Sequence, residues 1–99
     1  MRPMTAPPKV LKLPDILDLN AASRLHEQVL AHKGEDIDLD ATEVTRVGAQ
    51  CVQVLLAAVL SWRSEDRTLA VRTASESYVK TLQLLGISEE ALLPKEMLK

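Results

Sequence analysis

Apolar residues alternate with polar ones in three short segments of the chain, a spacing that predicts β-strands. The three segments are VLKLPDIL at 10–17, DIDLDAT at 36–42 and TLAVRT at 68–73. Pro14 interrupts the first segment, which therefore predicts either one short edge strand or two fragments broken at the proline. In the second segment Ile37, Leu39 and Ala41 share one face, which predicts a strand that is covered on a single side.

Three other segments carry apolar residues at spacings of three and four, which predicts helices. The first helix is predicted to begin at an N-cap, Asn20, and to stop at Gly34. The central helix is predicted to run from about Gly48 to Ser64. The third is predicted to begin at an N-cap, Ser75, and to stop at Gly86. The residues expected to face the core are Ala22, Leu25 and Val29 in the first helix, and Val79, Leu82 and Leu85 in the third. In the central helix they are Ala49, Val52, Leu56 and Val59, with Cys51, Leu55, Ala58 and Trp62 beside them.

The resulting order, βαβαβα, predicts an α/β fold. Strands and helices that alternate across short links favour a mixed, mostly parallel sheet with right-handed crossovers and helices packed mainly on one face. Residues 1–8, which include three prolines, are interpreted as a flexible N-terminal tail, and residues 9–99 as a single domain. The last residues, EEALLPKEMLK, predict a helical turn before and after Pro94.

Composition and charge exclude several classes of function. A chain of 99 residues with 46% hydrophobic content has enough apolar material for one core. The formal net charge is -2, with acids and bases interspersed, which indicates neither a nucleic-acid partner nor membrane binding. The longest apolar stretch, Val52 to Leu60, contains Gln53 and is too short for membrane insertion. One cysteine and no signal-peptide pattern favour the cytoplasm.

Nearly the whole chain resembles a known family. The strand segment that ends in DLDATEVTRV is followed at once by a helix, then by the strand TLAVRT and a helix that ends in LLGI. This arrangement resembles the STAS domain, the family of the anti-sigma-factor antagonists, over roughly residues 9 to 93. The resemblance implies the STAS fold, with a shortened N-terminal strand region compared with the usual hairpin.

The start of the predicted central helix departs from the phosphorylated members of that family. Those domains carry Asp-Ser-Ser-Gly and take a phosphoryl group on the second serine, whereas the matching residues here are Gly48, Ala49, Gln50 and Cys51. A glutamine amide cannot accept the phosphoryl group that a serine hydroxyl accepts, so the resemblance implies no phosphorylation site at Gln50.

Two stretches also resemble the small stand-alone STAS proteins of bacterial chemotaxis, the CheS type. These stretches are VGAQCVQVL at 47–55 and VKTLQLLGI at 79–87. The resemblance implies a non-catalytic adaptor that binds the chemotaxis histidine kinase CheA and modulates phosphate flow to or from its response regulator. Two other STAS assemblies stay open as partners: an anti-sigma factor, and a lipid transporter with a cytosolic STAS subunit.

Gln50 and Gln53 stand in a run that otherwise has the pattern of buried core. Helical spacing places both on one stripe with Ala57 and Leu60, and the uncharged character of this stripe suits a protein contact better than a solvated helix face. Alternatively, Gln50 only covers the first turn and Gln53 bonds locally, which the physics of the sequence supports equally. The resemblance favours docking.

Thr45 and Arg46, in the loop before the central helix, are predicted to join this docking surface. Arg46 either pairs with an acidic residue of the partner or covers the sheet edge. An exposed interaction helix also predicts weak homodimerisation when the partner is absent.

The remaining chemically interesting residues are assigned structural roles. Cys51 lies on an apolar flank without a paired histidine and is interpreted, like Trp62, as a core residue. His26 and His32 are six residues apart, which is not the spacing of a helical metal pair, and they are assigned to the surface.

The acidic residues of the second strand are also assigned a structural role. Asp36, Asp38 and Asp40 predict an exposed sheet face, balanced by Arg72 or Lys12 from neighbouring strands. With no clustered glycines, metal set or catalytic constellation, the sequence predicts neither an enzyme nor a cofactor.

Overall fold

The computed structural model describes residues 7–94 as an α/β domain. In chain order the elements are β1 (Lys9–Lys12), β2 (Ile16–Leu17), α1 (Leu19–Ala31), β3 (Ile37–Ala41), β4 (Arg46–Val47), α2 (Ala49–Ser64), β5 (Leu69–Ala74), α3 (Glu76–Leu84) and a 3-10 turn (Glu90–Leu92). The turn predicted before Pro94 is this 3-10 turn. The predictions for 1–6, which make up most of the N-terminal tail, and for the turn after Pro94 lie outside the described residues.

Every strand pair in the described part of the chain is parallel, as is typical of alternating strands and helices. One sheet contains three strands in the order β1, β3, β5, and a second sheet contains β2 and β4. The first strand segment therefore forms two fragments, which Leu13, Pro14 and Asp15 separate. The predicted α/β fold with mostly parallel strands is confirmed. β1 lies at the edge of its sheet, with Val10 exposed.

The core forms between the three-stranded sheet and the helices. Ile37 and Leu39 of β3 are fully buried, α2 packs against β5, and α1 packs against α2. The two polar groups of the buried aromatic residues are both hydrogen-bonded: the Tyr78 hydroxyl donates to the Leu92 carbonyl oxygen at 3.0 Å, and Trp62 Nε1 donates to the Glu35 carbonyl oxygen at 2.7 Å. Each bond removes the cost of burying an unpaired polar atom.

Helix α1 begins at Leu19, earlier than the sequence pattern predicts. Its N-cap is Asp18, whose Oδ1 accepts a hydrogen bond from the backbone N of Ala21 at 3.0 Å, so the prediction of Asn20 as the cap is wrong. Asn20 is instead the second residue of the helix and is exposed. Gly34 lies in the turn after the helix with φ of 91°, a left-handed conformation that favours glycine and ends the helix as predicted.

We expect Asp18→Ala to lower the free energy of unfolding by about 1 kcal/mol, because one of the first amides of α1 loses its acceptor. Asn20→Ala is the matched control, since it removes a similar side chain that makes no cap, and it should leave the stability unchanged or slightly higher. Urea denaturation followed by circular dichroism measures both changes. Equal losses in the two variants would contradict the cap assignment.

Helix α2 spans Ala49–Ser64 as predicted, but its buried face is rotated from the predicted one. Ala49 is exposed, so the expectation that it belongs to the core stripe is wrong, whereas Leu56 is half-buried and packs against the edge of the core. The residues that do face the core are Cys51, Val52, Leu55, Ala58, Val59 and Trp62.

Helix α3 begins as predicted, with the Ser75 hydroxyl accepting a hydrogen bond from the backbone N of Tyr78. Leu85 was expected to face the core and is exposed, because the helix ends at Leu84 and the chain turns away at Gly86, which has φ of 76°. Tyr78, which the pattern did not place inward, is fully buried.

Candidate protein-docking surface

The solvent-facing side of α2 carries no charge over most of its length. Four exposed residues, here called the α2 stripe, define it: Gln50, Gln53, Ala57 and Leu60. The one charged residue of the helix is Arg63 near the C-terminus, whose Nη2 lies 3.0 Å from Glu89 Oε2. Leu60 is 58% exposed and adds apolar area to this uncharged face. The stripe is therefore the candidate contact surface.

A groove of about 560 Å³ lies beside the stripe, between α1 and α2. It is called the α1–α2 groove, and its lining residues are Leu19, Ala22, Ser23, His26, Val29 and Leu30 of α1, and Gln50, Gln53, Val54, Ala57, Ala58, Ser61 and Trp62 of α2. Three of the four stripe residues thus line the groove, and Leu60 does not. None of these lining residues carries a permanent charge.

The loop before α2 fixes the position of Gln50. The backbone N of Gly48 donates to the Leu17 carbonyl oxygen at 2.7 Å, and a Cβ at Gly48 would lie only 3.1 Å from the same oxygen. One turn later Cys51 Sγ donates to the Asp18 carbonyl oxygen at 3.2 Å. The first turn of α2 is therefore held against the start of α1, with Gln50 exposed between the two anchored residues.

The helix itself does not use the glutamine side chains. Its N-cap, Gly48, provides no side-chain cap bond. Among residues 7–94, the side-chain hydrogen bonds of α2 are made by Cys51, Trp62, Arg63 and Ser64. The amides of Gln50 and Gln53 are therefore free to hydrogen-bond to another molecule.

Thr45 and Arg46 lie outside the lining of the groove. The Thr45 hydroxyl donates to the Asp15 carbonyl oxygen at 3.1 Å, and the backbone N atoms of both residues bond to the same oxygen at 2.7 and 3.2 Å. Thr45 thus helps to hold the chain before β4 against the chain before β2. Arg46 is exposed, in register with Ile16. Participation of Thr45 and Arg46 in docking stays a prediction.

The α1 wall of the groove is the part that the sequence interpretation missed. Leu19 and Leu30 are 63% and 48% exposed at its two ends, with Ser23 and His26 between them. His26 is on the surface as predicted, but within the groove. The spacing of these four residues, at four, three and four positions, is the signal that could have revealed a second face on α1.

Cys51 and Trp62 are core residues, as predicted. Burial raises the pKa of the Cys51 thiol, and the nearby Asp18 carboxylate raises it further, so the reactive thiolate is disfavoured. Trp62 lines the groove near the C-terminal end of α2, and Lys33 Nζ lies 5.8 Å from the centroid of its ring.

Asp40 organises its neighbours through hydrogen bonds. Its Oδ1 accepts bonds from the Thr42 hydroxyl at 2.7 Å, the Thr42 backbone N at 3.0 Å and the Thr73 hydroxyl at 3.1 Å. These bonds, those from Thr42 first, hold the pKa of the Asp40 carboxyl below its usual value. Lys12 is in register with Asp40 but pairs with Glu43 Oε2 at 2.9 Å. In the described range, no group of three or more His, Cys, Asp or Glu residues could hold a metal ion.

These features define a class of protein: a small parallel α/β domain that presents an uncharged helix face. A family model described as Mlab, STAS domain, matches residues 2–95, and the chain therefore belongs to the STAS family. STAS domains are generally non-catalytic binding modules, which agrees with the exposed α2 stripe. No curated protein and no solved structure matches the chain. None of the helices within residues 7–94 is long and apolar enough to cross a membrane.

Proposed function

We propose that this protein is a non-catalytic adaptor that docks on a chemotaxis histidine kinase through the α2 stripe and modulates phosphate flow to or from its response regulator. The observation that carries the docking is the uncharged exposed face of α2. The choice of a kinase rests on the resemblance of VGAQCVQVL to the chemotaxis type of STAS protein. This role requires binding alone and no reacting group from this chain.

The stripe has the energetic character of a binding surface. Covering Ala57 and Leu60 removes apolar area from water, at about 25 cal/mol per Å². The glutamine amides exchange water for partner groups, and each net hydrogen bond adds about 1 kcal/mol. Because the stripe contains no charge, it contributes no desolvation penalty of an ion when the partner binds.

Gln50 also sets how the contact is regulated. We propose that it occupies the position of the phosphoserine in switched STAS domains. A phosphoserine would add up to about two negative charges in the first turn of α2 and alter the contact, whereas a glutamine keeps it uncharged. The docking surface is therefore always competent, and control over the complex comes from the state or amount of the partner.

The same stripe would serve the two alternative partners, an anti-sigma factor or a lipid transporter. Each alternative predicts loss of binding by the same substitutions in the α2 stripe but with a different partner. The identity of the protein that binds therefore decides among them, and the effect on phosphotransfer is specific to the kinase.

The proposal is tested by calorimetric titration of the purified protein with a chemotaxis kinase from the same cell. Gln50→Lys should weaken binding at least tenfold, or about 1.4 kcal/mol, because the lysine ammonium would be buried without a counter-charge. The matched control is Gln83→Lys, the same substitution at an exposed position on α3, which should bind like the wild type.

A second readout is the rate at which the response regulator loses its phosphoryl group in the presence of the kinase. The wild type and Gln83→Lys should change this rate equally, and Gln50→Lys should change it less. If the wild type does not bind the kinase, the proposed partner is wrong, and the anti-sigma factor and the lipid transporter are tested next. If Gln50→Lys binds as tightly as the wild type, the proposed surface is wrong.

A further inference from the structure

The α1–α2 groove has the shape and chemistry of a site for one helix. We propose that it receives a single amphipathic helix of the partner, laid along α1 and α2 with an uncharged apolar face inward. This deepens the proposed function, because it names the structure and side-chain chemistry that the docking surface recognises.

The dimensions of the groove set the length of the helix. Leu19 and Leu30 mark its ends on α1, and Gln50 and Trp62 mark them on α2. The pairs are eleven and twelve residues apart along their helices, which corresponds to about 17 Å, or three turns, at 1.5 Å per residue. A partner helix of three to four turns would run the whole length with anchors at spacings of three and four residues.

The walls of the groove favour a helix over an extended segment. Beyond the first turn of each helix, the backbone groups of α1 and α2 are already bonded within their own helices, so most of the groove offers side chains only. An extended segment would bury backbone amides and carbonyls without partners, at about 1–3 kcal/mol for each group by general measure. A helix satisfies its own backbone before it binds.

The charge of the groove sets the chemistry of the inward face. The lining contains no permanent charge, and a charged residue placed against it would lose water without gaining a counter-ion. Ala22, Ala57 and Ala58 leave room for large apolar anchors. Gln50 and Gln53 lie toward solvent and suit polar, uncharged neighbours such as serine, threonine or glutamine.

A second copy of this chain fits the groove less well. In a symmetric dimer the same patch would meet itself, so that two concave surfaces would face each other and leave a hollow between them. A helix from another protein fills the concavity, and a dimer is therefore the competing outcome of the test.

The test uses a display library of about 18-residue amphipathic helices, long enough for five turns, selected on the wild-type protein. Enriched peptides are synthesised and titrated by calorimetry against the wild type and against Ala57→Trp, which fills the groove from α2. Ala31→Trp is the matched control, the same substitution at an exposed α1 position outside the groove lining. Ser23→Trp fills the groove from the opposite wall. Circular dichroism verifies that each variant is folded.

We expect the enriched peptides to share an uncharged face with apolar residues three and four apart and to bind one to one. Binding should change the fluorescence of Trp62, the only tryptophan, in the wild type. The affinity should fall at least tenfold in Ala57→Trp and Ser23→Trp and stay unchanged in Ala31→Trp. Peptides that bind the filled variants as tightly as the wild type, peptides with a charged inward face, or a library without enrichment would each overturn the proposal. So would light scattering that shows a dimer closed over the groove.

The kinase titration separates this inference from the proposed function. If peptides bind the groove but the kinase does not bind the protein, the helix site is supported and the kinase is not the partner. Kinase binding that persists in Ala57→Trp, but is lost in Gln50→Lys, would retain the adaptor role and remove the helix site.

Discussion

Trp62→Ala should lower the free energy of unfolding by about 3–5 kcal/mol, the usual cost of removing a buried tryptophan. The ring is only 2% exposed and packs in the core cluster, and its Nε1 donates to the Glu35 carbonyl oxygen at 2.7 Å. The substitution therefore removes both the apolar contacts of α2 and its bond to the turn that follows α1. The free energy of unfolding of a small domain is about 5–15 kcal/mol, so this one substitution removes a large part of its stability.

Urea denaturation followed by far-ultraviolet circular dichroism measures the loss, since the fluorescent residue is absent from the variant. Leu60→Ala is the control on the same helix, and because Leu60 is mostly exposed it should cost less than about 0.5 kcal/mol. Trp62→Phe keeps an aromatic ring but loses the hydrogen bond, and it should fall between the two. A small loss in Trp62→Ala would show that the ring is not part of the core.

Tyr78 should make the protein lose stability in alkali. Burial raises the pKa of the Tyr78 hydroxyl well above its ordinary value near 10, because the tyrosinate anion would be formed away from water. The stability that the buried, neutral Tyr78 hydroxyl contributes is fully present below pH of about 10, where neither the folded nor the unfolded chain has released the proton. Above that pH the unfolded chain is deprotonated first, so the free energy of unfolding falls by about 1.4 kcal/mol per pH unit until the folded pKa is reached.

The measurement compares the wild type with Tyr78→Phe in urea between about pH 9 and pH 12, on either side of the tyrosine pKa. At neutral pH the variant should lose only about 1 kcal/mol, the value of the hydrogen bond to Leu92. Above pH of about 10 the wild type should lose stability more steeply than the variant, while the lysines contribute to both. As Tyr78 is the only tyrosine, its absorbance reports the proton release directly. Identical slopes in the two proteins would contradict a buried hydroxyl.

The sequence pattern predicts the elements of this fold well, because their signals are local. The period of two in DIDLDAT and the long apolar run before Ser64 each give the correct element. The pattern predicts the ends and the buried faces of the elements less well. Asp18 and Asn20 are both residue types that cap helices well. Asp18 is favoured by tertiary contacts, the hydrogen bonds from Gly48 and Cys51 to the carbonyl oxygens of residues 17 and 18. The two-residue strands β2 and β4 are too short to show a period at all.

The face of α2 was harder to predict for a physical reason. The helix is apolar almost all round, so the pattern contains little information about which side is inward, and the predicted stripe included the exposed Ala49 and gave the half-buried Leu56 a central place. Gln50 and Gln53 interrupt the apolar pattern in the first half of the helix, and they correctly indicated an exposed side. The groove could not be predicted, because it depends on how α1 lies beside α2, and this is a property of packing rather than of either helix alone.

The exposed edge strand β1 has a consequence for aggregation. Since the backbone N atoms of Lys9 and Leu13 donate to the carbonyl oxygens of Asp36 and Asp40, the backbone groups of Val10 and Lys12 face away from the sheet and could template a foreign strand. Prolines stand on both sides of this four-residue strand, and lysines occupy both of its ends. A fibril that grew from this edge would have to stack those lysine charges and would meet a proline at each side. The residues that end and flank β1 therefore make this edge of the sheet resistant to cross-β growth.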